Sequence, residues 1–172
     1  MTTNVFFTTL IAFLLQMSAF ATPVTQNSGD EPITKFVIIL NAGNTDATAS
    51  TQKFGNMLPE VMKSMDIKHI YTCPSASASP TFEALLNGKN IKATPFDTDQ
   101  LSSSLYDIYV ANQGSTSVIC ADYKSAAKIL NMLTGTKDYG KFTDSDQFKV
   151  FIVESDRLGK GTVKTYDFRK QI

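Results

Sequence analysis

The side chains with chemical potential in this sequence sit at the downstream ends of short apolar runs. Cys73 follows Ile70-Tyr71-Thr72, Cys120 lies within Val118-Ile119-Cys120-Ala121-Asp122, and Asn41 follows Ile39-Leu40. The carboxyl ends of strands are where α/β sheets hold their sites. A cysteine attacking a phosphate ester would need a phosphate-cradling loop closed by arginine, and neither CPSASAS nor CADYKSA supplies one. Asn41, Asn44, Asp46 and Asp122 could offer oxygens to a hard cation such as calcium. Polar loop residues are ordinarily just solvated, however, so no metal is expected. Asp97-Thr98-Asp99 has no buried strand before it and reads as a solvated turn and helix N-cap; Asp144-Ser145-Asp146 is the same kind of pattern. Gly159-Lys160-Gly161 is too short for a nucleotide loop and fits a hairpin turn. The one histidine, His69, excludes any site needing two imidazoles. No zinc spacing, P-loop, serine–histidine triad or basic stripe is present, and no cofactor is expected.

These groups must be positioned by a globular frame. Apolar residues make up 42% of the 172, charged residues 19%, and 16 basic residues balance 16 acidic ones. That is a folding composition with no net field toward nucleic acid or an anionic membrane.

Lys35 to Leu40 is a continuous apolar run, the mark of a strand buried on both faces. Phe54, Met57, Leu58, Val61, Met62 and Met65 follow at helical spacing; Pro59 should kink this helix or mark its true first turn. Ile67 to Thr72 reads as the second strand. Ser79-Pro80 then starts a helix as N-cap and first residue, and Asn87-Gly88 should end it. A short extended piece, Ile91 to Phe96, precedes a helix from about Asp99 to Ala111. Ser117 to Ala121 is another buried strand, and Ser125 to Leu133 a helix closed near Gly135. Phe148 to Glu154 and Thr162 to Phe168 pair as a terminal hairpin. The order predicts a three-layer α/β/α sandwich with a mainly parallel sheet and a C-terminal hairpin.

Over about 130 residues (Phe36 to Phe168) this frame resembles the histidine phosphatase (phosphoglycerate mutase-like) superfamily. Those proteins carry Arg-His-Gly after the first strand, an arginine shortly after the second, and Gly-His after a later one. The counterparts here are Ile39-Leu40-Asn41-Ala42-Gly43, Ile70-Tyr71-Thr72-Cys73 and Val118-Ile119-Cys120-Ala121-Asp122. The resemblance puts the motif arginine on Asn41, the phosphoryl-accepting histidine on Ala42, the second arginine near Ser77 and the second histidine on Asp122. Gly43 and Thr45 keep the family residues. What it implies is a phosphatase fold without phosphatase chemistry. Ala42 is no nucleophile, Asn41 and Ser77 donate only neutral hydrogen bonds, and Asp122 puts negative charge where phosphate would sit. Asn41, Gly43, Asn44, Thr45, Ser77 and Asp122 would outline a vestigial pocket.

The first residues read as an address. Val5 to Leu15 is apolar, and Ala19-Phe20-Ala21 gives an A-x-A cleavage pattern, the layout of a secretory signal peptide. The run is short of the ~20 residues that span a bilayer. Residues 1–21 are thus a signal peptide, 22–34 a flexible leader and 35–172 the domain, secreted or periplasmic and free of the membrane after cleavage. In an oxidising compartment two cysteines suggest one bridge between Cys73 and Cys120, against two buried thiols acting as small apolar residues. The functional expectation is an inactive domain acting on an unknown small ligand or protein, with no nucleic acid. The alternatives are a divergent phosphomonoester hydrolase with an unidentified nucleophile, and a structural domain whose pocket is closed.

Overall fold

The computed structural model describes residues 32–41, 48–77 and 79–172. The segments expected to be a signal peptide (1–21) and, for the most part, a leader (22–34) lie outside these residues, as do Ala42, Gly43, Asn44, Thr45 and Asp46.

The apolar runs become strands β1 (Thr34–Asn41), β2 (Ile67–Thr72), β3 (Ala93–Pro95), β4 (Thr116–Asp122), β5 (Lys149–Ser155) and β6 (Thr162–Asp167). Between them lie helices α1 (Ala49–Val61), α2 (Pro80–Lys89), α3 (Leu101–Ala111) and α4 (Tyr123–Thr134). The strands form one sheet in the order β3-β2-β4-β1-β5-β6. β1 to β4 pair in parallel, and β5 runs antiparallel to both β1 and β6. Among these six strands β5 is therefore the one that is reversed, and β1, β2 and β4 end along the same side of the sheet.

Successive strand side chains point to opposite faces, and each face of β1 is claimed by a different helix. Phe36 meets Tyr109 of α3 with ring centroids 6.1 Å apart. Val37 shares a hollow with Val61 and Met62 at the end of α1. α2 packs against α1, and α4 against α3, which completes the helix–sheet–helix layering. Covered on both sides, Phe36 to Leu40 and Val118 to Ala121 are buried, as their unbroken hydrophobicity requires.

Helix ends depart from the sequence expectation. α1 starts at Ala49, with the Thr48 side chain accepting from Thr51 N. Pro59 is in its last turn rather than its first. Asn87-Gly88 does not end α2, which runs to Lys89 with Asn90 in the left-handed conformation at φ 52°. Gly88 is needed for another reason: a Cβ there would lie 2.8 Å from Cβ of Pro59, so it lets α1 and α2 approach closely. α4 begins two residues before the expected Ser125, with Asp122 as its N-cap. The N-cap of α3 is Gln100, and Asp97 instead accepts from Asp99 N at 2.8 Å in the preceding turn.

At the opposite side of the sheet from the strand ends, backbone hydrogen bonds clamp the β5–β6 hairpin to α4. Gly159 N and Gly161 N both donate to Leu133 O, at 3.1 and 2.9 Å. Gly135 caps α4 at φ 71°, and a Cβ there would come 2.3 Å from Gly159 O.

Candidate functional site

Register brings the chemistry-bearing strand ends together. Asn41 is the β1 partner of Asp122 on β4, and β2 lies on the other side of β4. Cys73, just past β2, donates its N–H to Cys120 O at 3.1 Å.

Asp122 is the centre of the arrangement. As the N-cap of α4 it accepts Ser125 N on Oδ1 at 2.9 Å, satisfying one of the helix's orphan donors. Its other oxygen collects the hydroxyls of Ser75 and Ser125, each at 3.0 Å, and the Cys73 thiol at 3.6 Å. The Asp122 backbone N–H reaches Cys73 Sγ at 3.4 Å. Partial burial alone would raise the Asp122 carboxyl. The hydrogen bonds from the Ser125 backbone and side chain, from Ser75 and from Cys73 outweigh it and hold the group below the ordinary carboxylate value of 3.8. Asp122 is therefore anionic at neutral pH.

The other sequence-derived positions distribute unevenly. Asn41 donates to Ser75 O at 3.3 Å and so joins the cluster. Ser77 is exposed and donates to Pro74 O at 2.8 Å, closing its own turn; Ser75, not Ser77, contacts the carboxylate. Neither Ser75 nor Ser125 belongs to the sequence-derived positions. Ser125 carries the signal of standing three residues after a strand-ending aspartate, the N-cap spacing, whereas nothing separates Ser75 from its neighbours in CPSASAS. Gly43, Asn44, Thr45 and Ala42 lie outside the described residues.

Both cysteines are buried free thiols here, not a bridge. The strand pairing aligns Cys120 with Thr72, leaving Cys73 one residue out of step, turned to Ser75 and Asp122 instead. Burial, and to a lesser extent the neighbouring Cys73, push the Cys120 thiol far above its usual range, so it offers no thiolate.

No cationic clamp converges on Asp122 among the hydrogen bonds and ion pairs of the described residues. Arg157 and Arg169 are the only arginines in the chain. Arg157 is in the β5–β6 turn, across the sheet from the strand ends. Arg169, beyond β6, grips Asp167 through Nε at 2.9 Å to each carboxylate oxygen. His69 is exposed on β2 beside Tyr71, with ring centroids 6.3 Å apart; it is a strand side chain outside the cluster.

Three parallel strands ending in one cluster beneath an N-capped helix invite comparison with known structures. The protein histidine phosphatase SixA complexed with tungstate matches with a TM-score of 0.59 at 15% identity, over 80% of this chain and 99% of that one. The fold is that of the histidine phosphatases. SixA from Agrobacterium tumefaciens gives a TM-score of 0.52 at 13% identity, over 75% of this chain and 97% of that one. A mycobacterial glucosyl-3-phosphoglycerate phosphatase gives 0.51 at 8% identity, over 78% and 99%. No protein-family model matches the sequence, and no curated protein matches it. At these identities the histidine phosphatase fold is what is shared.

Proposed function

We propose that this chain is an exported, catalytically inactive domain on the histidine phosphatase fold that acts by binding a ligand or a protein. The observation that carries this reading is Asp122. At the end of β4 stands an ionised carboxylate whose oxygens are taken up by Ser75, Ser125 and Cys73. Phosphoryl transfer needs a nucleophile and preorganised cationic donors aimed at the phosphoryl oxygens. Here the β1 end offers the neutral amide of Asn41, and the next residue is Ala42. A carboxylate at that point repels a phosphate dianion, and its internal bonds make it a structural cap.

The test is turnover of a generic aryl phosphate by the purified protein, with and without divalent metals. Release no faster than from a heat-denatured sample is the expected result. Turnover that co-purifies and melts with the folded protein would overturn the reading and favour a divergent phosphomonoesterase. Export is tested separately by N-terminal sequencing of the secreted product, which should begin at Thr22.

A further inference from the structure

The outer side of α4 carries a feature that the strand-end cluster does not use. An open trough of about 470 Å³ runs between α4 and residues 139–141. Tyr123, Ala127 and Tyr139 make its apolar part, and Lys124, Lys128 and Lys141 also line it, with no carboxylate. None of these three lysines forms an ion pair among the described residues, although other lysines of the chain do. Asp138 and Asp144 stand beside the tyrosines and help to push their hydroxyls above the usual range, after burial, without lining the trough.

The wall is firmly built. Asn131 of α4 holds the Tyr139 backbone by both its groups, donating to Tyr139 O at 2.8 Å and accepting from Tyr139 N at 3.0 Å. The Tyr139 ring sits edge-on to Phe151, 6.2 Å between centroids. At Lys128 and Asn131 the trough meets a second hollow of about 650 Å³ that reaches Met132 and the start of α3. Asp99 lies at that far end.

We propose that this lysine-rimmed trough across α4 is a docking groove for an acidic peptide segment of a partner protein. Three exposed ammonium groups without carboxylate partners make the rim complementary to an anionic occupant. The trough is open and continues past Lys128 and Asn131 into the second hollow. That suits an extended chain better than a small molecule, which favours an enclosed pocket. Lys124 and Lys128 are one helical turn apart, about 6 Å between Cβ atoms. Alternate side chains of an extended peptide repeat at about 6.7 Å, so two acidic residues flanking one other residue can each meet a lysine. The tyrosine-walled part receives an apolar or aromatic side chain of the same segment. This inference does not depend on the loss of phosphatase chemistry, and an active enzyme could carry the same groove.

The experiment is fluorescence anisotropy with the full chain and a labelled peptide alternating glutamate and serine around a central phenylalanine. Saturable binding at low salt is expected, weakened about tenfold or more in Lys124→Glu/Lys128→Glu. Lys53→Glu, on the exposed side of α1, should leave it unchanged, with circular dichroism showing all variants folded. Absence of saturable binding to the folded protein, or equal loss in Lys53→Glu, would overturn the proposal. Competition by free phosphotyrosine or a single-stranded oligonucleotide at concentrations as low as unlabelled peptide would also overturn it, by assigning the groove to another class of ligand.

Discussion

Replacing Asp122 with alanine removes an N-cap acceptor and the shared acceptor of two serine hydroxyls in one step. Loss of a capping side chain costs about 1 kcal/mol. The two hydroxyl bonds to a charged acceptor would add more in a dry site, but water can replace part of them at a half-exposed carboxylate, leaving about 1 kcal/mol. The expected destabilisation is thus roughly 2 kcal/mol, or a fall in Tm of about 6–10 °C for a domain of this size. Urea denaturation at neutral pH measures it, with an unchanged m-value as the sign that only stability has moved. The pH dependence gives a second handle. The Asp122 carboxyl is held below its ordinary value of 3.8 in the folded protein. Its charge-dependent contribution is complete above that ordinary value and disappears as pH falls through the lowered one. The gap between wild type and Asp122→Ala should therefore narrow as the solution is acidified below about pH 4. A variant as stable as wild type at pH 7, or a gap that stays constant into acid, would refute the assignment of Asp122 as an ionised cap.

Two further outcomes follow from the packing. Gly88→Ala should lower stability by about 1 kcal/mol, because overlap with the Pro59 ring outweighs the helical preference for alanine; a rise in Tm would contradict the close α1–α2 approach. Cys73 and Cys120, buried and unbridged, should resist a thiol-reactive chromogen in the native protein and both react after urea unfolding. If neither reacts after unfolding without reductant, the two are bridged in the mature protein.

The parts of the fold legible in the sequence are those where burial dictates composition. β1 and β4 are covered on both faces, so Phe36 to Leu40 and Val118 to Ala121 announce themselves as unbroken apolar runs. The hairpin was legible because Gly159 and Gly161 separate the apolar run of β5 from the β-branched and aromatic residues of β6 (Thr162, Val163, Thr165, Tyr166), which stays mostly exposed. Helix ends were harder. The start of α1, Thr48 to Lys53, carries no large apolar side chain, so periodicity begins only at Phe54, and α2 stops at Asn90 while Gly88 serves packing. At the strand ends, Asn41 and Asp122 could be located because each closes a strand. Their environment could not: whether Ser75 or Ser77 turns toward a carboxylate depends on the course of the 73–79 turn, which a run of alternating serine and alanine does not encode. The remaining motif positions, Ala42 to Thr45, lie outside the described residues.

The clamp between α4 and the hairpin joins Leu133 to Gly159 and Gly161 through main-chain groups only. It works as a buckle: the intervening chain, including the 139–141 wall of the lysine trough, leaves from one end of α4 and is brought back to it. A disulfide in the same place would open in a reducing compartment, and an ion pair would loosen with salt or acid. This buckle contains no sulfur and no titratable group, so it is indifferent to all three. What opens it is geometry, through a side chain added at Gly135 or loss of the hairpin. For a protein proposed to be exported, into surroundings where pH, salt and redox potential vary, such a closure keeps β5 and β6 in place without sensing those surroundings.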